Sequence, residues 1–247
     1  MRPASVGFQC PDDVRAGNEG VRRPRRTTGL RLAGQRWGTV TLSLIGINVA
    51  MFLITAVQAG VQGADPLDNY RASLFQDLWQ VPFLVDELGD WWRPLTAAFL
   101  HYGVVHLGLN MLSLLVFGSQ LEQLLGRARF LTVYLVGVLG GAAAIQLFGA
   151  PFGAVAGAST AIYGLMGAFA VVLVHQKQDL RGILTLLGIN VVISFLPGVS
   201  LIGHLGGLVA GAAAAAVLVL ARRSVPAAAA GTAVLVAVLL VLVYVVG

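Results

Sequence analysis

Seven apolar stretches dominate this chain, and each is close to the length that an α-helix needs to cross a lipid bilayer. They lie at 38–59, 95–118, 130–149, 156–175, 182–197, 201–221 and 227–246. A spanning helix takes about 20 residues, with about 17–25 tolerated, so the fifth stretch is at the short limit. The stretches are continuously apolar rather than alternating, which disfavours a β-barrel. The sequence therefore predicts an all-α fold, a polytopic membrane bundle with seven transmembrane helices.

Composition supports a lipid environment and argues against nucleic acid as a partner. Hydrophobic residues make up 57% of the 247 residues and charged residues only 11%, whereas a soluble chain averages about 25% charged residues. The net charge of +5 comes from arginines beside the apolar stretches, which is the pattern of membrane topology. The expected partner is therefore the bilayer. The single cysteine, Cys10, excludes an intrachain disulfide.

Charge also predicts domains and orientation. Residues 1–36 are polar and rich in Arg, Pro and Gly, and we expect a disordered basic cytoplasmic leader. A six-helix core at 37–221 and an additional C-terminal transmembrane helix at 222–247 follow. With the N-terminus in the cytoplasm, the inner loops hold most of the loop cations, as the positive-inside rule requires: Arg127, Arg129, Lys177, Arg181, Arg222 and Arg223. We expect a multi-pass protein of the inner (plasma) membrane with its C-terminus outside.

Polar residues interrupt three of the apolar stretches. Ser159 lies in a Gly-Ala-Ser-Thr turn, His204 opens the sixth stretch, and His106 and Asn110 share one helix face in the second. A serine hydroxyl becomes nucleophilic when a base takes its proton, so Ser159 and His204 are a candidate pair. The three stretches cross in the same direction, which allows these groups to meet in the outer half of the membrane.

Each of these residues also has a structural interpretation. Ser159 alone is more typical of a serine bonded to a helix carbonyl, and His106 with Asn110 is compatible with hydrogen bonding between helices. The side chains of His106 and Asn110, with the N–H of Ser159 at a helix N-terminus, are also suited to stabilising an oxyanion. Tyr163, on the face of Ser159, is placed either to stack on His204 or to fill the core.

Metal-dependent and aspartyl chemistry are both disfavoured. The sequence has no His-Glu-x-x-His pattern, and His101 and His106 have no third ligand nearby, whereas zinc needs three or four. Acidic residues avoid the apolar stretches. His101 lies on a different face from His106, and we expect it to brace a loop or the membrane interface. No metal and no cofactor are expected.

Several linked motifs between about 40 and 221 resemble the rhomboid family of intramembrane serine proteases. The match comprises a Trp-Arg signature, a His-x4-His-x3-Asn pattern, an acid-x-x-x-Gly-Arg element, a Gly-x-Ser turn and a His-x-x-Gly-x-x-x-Gly motif. These are Trp92-Arg93; His101, His106 and Asn110; Glu122 to Arg127; Gly157 to Ser159; and His204, Gly207 and Gly211. One position departs, because the family usually has Gly where this chain has Thr160.

The resemblance implies a Ser159–His204 dyad without a catalytic carboxylate. It implies an oxyanion hole of His106, Asn110 and the Ser159 N–H. The supporting residues are then Gly157, Tyr163, Trp92, Arg93, His101 and Gly207. The substrate is expected to be a transmembrane protein with a locally unwound segment near the outer surface, and the last stretch resembles the extra helix of six-plus-one members. Thr160 leaves open the alternative of a weak or silent relative that binds membrane clients. A transporter or channel is disfavoured because the polar groups cluster at one depth, and the oligomeric state stays open.

Overall fold

The computed structural model describes residues 2–3, 8–10, 12, 29–195 and 198–246. Residues 1–32 form one compact unit and residues 33–247 a second. In the first unit, strands β1 (Arg2–Pro3) and β2 (Phe8–Gln9) pair antiparallel. Most of the leader expected at 1–36 lies outside the described residues, but its last part is helical, in α1 (Gly29–Trp37).

The second unit is built from helices. In chain order they are α2 (Thr39–Val61), a 3₁₀ helix (Pro66–Arg71), α3 (Ser73–Leu78), α4 (Pro82–Asp86), α5 (Arg93–Thr96), a 3₁₀ turn (Ala97–Phe99), α6 (Gly103–Ser113), a π-helical turn (Leu114–Gly118), α7 (Ser119–Leu125), α8 (Arg127–Phe148), α9 (Ser159–His175), α10 (Arg181–Ile193), α11 (Leu201–Leu220) and α12 (Val225–Tyr244). The all-α class predicted from the sequence is confirmed.

Every predicted apolar stretch contains one of these helices, although their lengths differ. Among the described residues, five helical segments are long and apolar enough to cross a membrane: α2, Gly103–Leu125, α8, α11 and α12. Helices α9 and α10 are also apolar but have only 17 and 13 residues. The polytopic membrane bundle is confirmed, while the count of seven spans stays a prediction.

The second stretch begins later than the sequence predicts. Its helix starts at Gly103 rather than near residue 95, because the chain is extended at Leu100 and Gly103 has a φ of +74°. Residues 95–102 therefore belong to the loop between α2 and α6. Residues 95–102 are apolar enough to pass as part of a span, since hydropathy measures composition and not backbone direction. One consequence is that His101 precedes the span.

The centre of the bundle is a close packing of α8, α9 and α11. A β-carbon at Gly207 would meet the carbonyl group of Thr160, and one at Gly211 would meet the backbone of Gly164. Small residues allow helix backbones to approach in this way without a hydrophobic driving force. The first turns of α9 and α11, which carry Ser159 and His204, are consequently held side by side.

Candidate active site

Ser159 is the first residue of α9, and the turn before it depends on a glycine. Gly157 has a φ of +142°, and a β-carbon there would lie 2.9 Å from Cε1 of His106. The N–H of Gly157 donates to the carbonyl of Ala97 (2.9 Å). The turn therefore brings the backbone next to His106 and leaves the hydroxyl of Ser159 half-buried. The N–H of Ser159 lies in the first turn, where a helix offers it no partner.

The side chains of Ser159 and His204 are in hydrogen-bond contact. The distance from Ser159 Oγ to His204 Nε2 is 2.8 Å. The rings of Tyr163 and His204 stack with centroids 4.1 Å apart and planes 15° apart. Both rings are buried. A hydroxyl, a base and a ring that restricts the motion of the base thus lie together, as nucleophilic catalysis requires.

Ser194 completes the surroundings of His204, and the sequence did not reveal it. Its Oγ lies 2.7 Å from His204 Nδ1 and 2.7 Å from the hydroxyl of Tyr163. The residue is only 2% exposed. It follows the last residue of α10, at the end of the apolar stretch with the weakest span signal. The one signal available was a hydroxyl in a largely apolar stretch, which by itself is common in membrane helices.

The tautomer of neutral His106 follows from the hydrogen bond that its Nδ1 accepts. Its Nδ1 accepts the backbone N–H of Tyr102 (3.2 Å), and a backbone N–H can only donate. In the neutral ring the proton therefore sits on Nε2, which lies 3.0 Å from the place of a β-carbon at Gly157. Asn110 lies one turn further along α6, where its Nδ2 donates to the carbonyl of His106 (2.9 Å). The structure thus brings His106 to the Gly157 turn, while the side chain of Asn110 bonds to the backbone of α6.

The ring of His101, in the loop before α6, lies next to the ring of His106. The two rings are 5.1 Å apart, and both ring nitrogens of His101 lack a hydrogen-bond partner among the described residues. Burial, with a smaller contribution from His106, lowers the pKa of His101 to about 3. Asn69, which the sequence did not single out, donates to the carbonyl of His101 and accepts from the N–H of Gly103. These contacts hold the start of α6.

Trp92 and Arg93 connect the short helices of the outer loop. The guanidinium of Arg93 pairs with Asp90 (2.7 Å) and donates to the carbonyls of Gln76 and Trp79. The indole N–H of Trp92 donates to the carbonyl of Asp77 (3.0 Å). Neither side chain reaches Ser159 through these bonds. Their geometry is that of a brace for the loop, in whose last turn the Ala97 carbonyl accepts the N–H of Gly157.

A β-bridge joins the same loop to the segment before Ser159. Gln80 and Val155 exchange two backbone hydrogen bonds of 2.9 and 2.8 Å. The side chain of Gln80 continues inward to the carbonyl of Ala142 (3.1 Å). Within the described ranges, no group of three His, Cys, Asp or Glu side chains is placed to hold a metal ion.

A model of the Rhomboid domain matches residues 88–221 of this chain. The chain belongs to the rhomboid family. This confirms the resemblance noted from the sequence motifs. The match includes the segments that carry His106, Ser159 and His204, and it ends at the C-terminus of α11. Helices α2 and α12 lie outside it.

Individual relatives show the same membership. The chain is 34% identical over 179 residues to Rhomboid protease GluP of Bacillus subtilis (strain 168), which covers 70% of this chain and 33% of that protein. It is 33% identical over 203 residues to RHOMBOID-like protein 6, mitochondrial, of Arabidopsis thaliana, which covers 70% of this chain and 66% of that protein. It is 35% identical over 130 residues to putative rhomboid protease YdcA of Bacillus subtilis (strain 168), covering 50% and 65%. The chain thus spans 33–66% of the length of these relatives.

Proposed function

We propose that this rhomboid is an intramembrane serine endopeptidase that hydrolyses peptide bonds in transmembrane segments of other membrane proteins. The observation that carries the proposal is the 2.8 Å contact between Ser159 Oγ and His204 Nε2 inside an apolar helical bundle. Relatives named as proteases in the same family support it. The described surroundings of His204 contain hydroxyl groups and no carboxylate within hydrogen-bond distance, so the proposed unit is a dyad.

Ser159 acts as the nucleophile and His204 as the base. As Ser159 Oγ attacks the peptide carbonyl carbon, its proton passes to His204 Nε2, and the carbonyl π electrons move to oxygen. When the tetrahedral intermediate collapses, the C–N bond breaks and His204 gives that proton to the leaving amine. A water molecule then hydrolyses the acyl-enzyme by the same two steps, with His204 again accepting and returning a proton.

The negative charge that develops on the carbonyl oxygen needs donors at the Gly157 turn. We assign this role to the N–H of Ser159, the Nε2–H of His106 and the side-chain amide of Asn110. One hydrogen of that amide already bonds the carbonyl of His106, and the other remains for an oxyanion. Removing a single oxyanion donor typically costs about 10²–10³ in rate. His106 is the donor that the Gly157 turn approaches most closely.

The substrate class follows from the surroundings of the dyad. The segments beside Ser159 present exposed apolar side chains, which suit lipid and apolar helices rather than soluble peptides: Val104, Val105, Leu109, Val192, Phe195 and Leu205. A peptide bond inside an intact helix is shielded by its own hydrogen bonds. The favoured substrate is therefore a transmembrane segment that carries residues of weak helix propensity near the depth of Ser159.

We further propose the orientation and domain plan predicted from the sequence. The N-terminus lies in the cytoplasm, residues 37–221 form the catalytic core, and residues 222–247 add a seventh transmembrane helix that ends outside the inner (plasma) membrane. The charge distribution of the loops supports this orientation. It places Ser159 and His204, at the starts of α9 and α11, toward the outer side.

The proposal is tested with the full chain reconstituted in liposomes with a model single-span substrate. Ser159→Ala and His204→Ala are each expected to abolish cleavage, and wild type is expected to react with a fluorophosphonate probe at Ser159. Ser43→Ala is the matched control, because Ser43 is a serine of α2 that only donates to the carbonyl of Thr39 (2.9 Å). It is expected to cleave like wild type.

Two results contradict the proposal. Equal cleavage by wild type and Ser159→Ala would place the activity elsewhere or in a contaminant. Binding of the substrate with no cleavage and no probe labelling, in any lipid composition, would favour a silent family member that holds membrane clients.

A further inference from the structure

Ser194 lies at the end of α10 and contacts the side of His204 that faces away from Ser159. We propose that Ser194 is a positioning residue that sets the tautomer of His204, so that the outer end of α10 controls the competence of the base. This inference rests on the proposed Ser159–His204 chemistry. It is carried by the network of hydrogen bonds around one buried hydroxyl.

Only one assignment of protons makes every contact of this network a hydrogen bond. Ser194 Oγ carries one hydrogen. The Oγ atom lies 2.9 Å from the carbonyl oxygen of Asn190, which can only accept. With that hydrogen used, the two lone pairs of Ser194 Oγ accept from the hydroxyl of Tyr163 and from Nδ1 of His204, each at 2.7 Å. His204 must then carry its proton on Nδ1. Nε2 is left with a free lone pair, directed at the hydroxyl of Ser159.

The opposite assignment gives an inactive base. If Ser194 donated to Nδ1, the proton of the neutral ring would sit on Nε2 and point at Ser159 Oγ. Nε2 could not then accept the proton of the nucleophile. The carbonyl of Asn190 would keep the backbone N–H of Ser194 (2.9 Å) as a donor but lose the serine hydroxyl. The acceptor role of Ser194 corresponds chemically to that of the carboxylate in a serine-protease triad, without its charge.

The position of Ser194 ties this effect to α10. Along that helix Ile183 is the only side chain, among those described, that is fully buried, and Ser194 is the next buried residue after the helix ends. Leu184, Leu186, Ile189, Val192 and Ile193 are exposed. The helix is therefore attached to the bundle by few side chains, which are Ile183 near its start, the half-buried Leu187 in its middle and Ser194 just after its end. A displacement of the outer end of α10 removes the Ser194 hydroxyl from Nδ1 of His204. The ring of His204 can then adopt either tautomer.

The direct test is ¹⁵N NMR of the full chain labelled at histidine, in micelles or liposomes, with His204 assigned by its absence in His204→Ala. Wild type is expected to show a protonated Nδ1 and an unprotonated Nε2. In Ser194→Ala the Nε2–H tautomer is expected to gain population. Tyr163→Phe removes the other hydroxyl of the buried pair but leaves the acceptor on Nδ1, and it is expected to keep the wild-type tautomer.

Kinetics give a second readout. Because general base catalysis contributes about 10²–10⁴-fold in rate, we expect Ser194→Ala to lower kcat by about 10-fold to 100-fold at an unchanged KM. Thr185→Ala is the matched control, since Thr185 lies on the same helix and donates in the same i−4 manner to the carbonyl of Arg181 (2.8 Å) while exposed. It is expected to leave kcat unchanged.

Either of two outcomes overturns the inference. The first is a wild-type His204 protonated on Nε2, which needs no variant and so does not depend on how Ser194→Ala folds. The second is a Ser194→Ala protein with wild-type tautomer and kcat. If wild type cleaves no substrate, the proposed function fails, but the NMR comparison still decides the role of Ser194.

Discussion

The side chain of Thr160 fills the space that Gly141 leaves on the neighbouring helix. A β-carbon built at Gly141 would come within 2.5 Å of Cβ and 2.7 Å of Cγ2 of Thr160. Thr160 stands at the position after Ser159, where the family usually has Gly. Its β-branched side chain is thus directed toward α8. The departure from the family pattern is accommodated by a glycine on another helix.

This pairing predicts a coupling between the two positions. Gly141→Ala is expected to lower the free energy of unfolding by about 1–3 kcal/mol, as overpacking does. Thr160→Gly in the same protein is expected to restore part of the loss, because the added methyl group then meets mainly the carbonyl of Gly203, at 3.0 Å. Thermal unfolding of both single variants and the double variant in detergent measures the coupling. Additive effects, within about 0.5 kcal/mol, would mean that the two residues do not interact.

Gly207 is expected to be essential for the distance between Ser159 and His204. In Gly207→Ala the new methyl group meets the carbonyl carbon of Thr160 at 2.8 Å, so α9 and α11 must separate. We expect fluorophosphonate labelling of Ser159 to fall at least tenfold, with a loss of about 1–3 kcal/mol in stability. Gly188→Ala is the control, because a β-carbon at Gly188 meets nothing within 4 Å. Equal labelling of the two variants would rule out this role for Gly207.

Glu122 is predicted to hold the start of α2. Its buried carboxylate accepts the N–H of Val40 (3.0 Å), the N–H of Thr41 (2.8 Å) and the hydroxyl of Thr41 (2.9 Å). Negative charge is favourable at a helix N-terminus, and unpaired buried donors are costly. Glu122→Ala is therefore expected to destabilise the protein by about 1–3 kcal/mol. Glu122→Gln, which keeps one acceptor oxygen, is expected to fall in between.

Thermal unfolding in detergent measures the effect of Glu122. Glu87→Gln changes an exposed acid of the outer loop and is expected to unfold like wild type. If Glu122→Ala and Glu87→Gln had the same unfolding temperature, the capping role of Glu122 would be wrong.

His101 is expected to make the fold sensitive to acid. Its pKa is lowered from 6.5 to about 3, so between these values the unfolded chain binds a proton that the folded chain does not. Its contribution to stability is thus constant above about pH 7 and declines as the pH falls through 6.5. At pH 5 the neutral, buried His101 lowers the free energy of unfolding by about 2 kcal/mol relative to its value above pH 7. In His101→Phe the unfolding temperature is expected to vary less with pH over this range, and an unchanged pH dependence would contradict the assignment.

Much of the site was predictable from the sequence because its residues break local rules. Ser159, His106 and His204 are polar groups in stretches that otherwise suit lipid, and such groups need partners. Their spacing within each helix, and the glycines beside them, can be read along the chain. The resemblance of those spacings to one family supported the pairing of Ser159 with His204 that their chemistry suggested, and the family membership is confirmed.

Other features were not predictable, because they depend on how separate helices pack against each other, even where the two residues are only 10 positions apart, as Ser194 and His204 are. Ser194 contacts His204 only because α10 ends beside the first turn of α11. Asn69 reaches His101, and Glu122 reaches Thr41, across 32 and 81 positions of sequence. The start of the second span was placed too early because Leu100 and its neighbours are apolar, and apolarity alone does not say where a helix begins.

The sequence alone determined the solvent of this protein, its helical class and the identity of the polar side chains that lie within it, because hydropathy and residue chemistry are properties of short segments. Only the tertiary structure decided which of those side chains meet and how Thr160 is accommodated. Those properties depend on distances of a few ångströms between helices, and such distances are set by packing across the whole bundle.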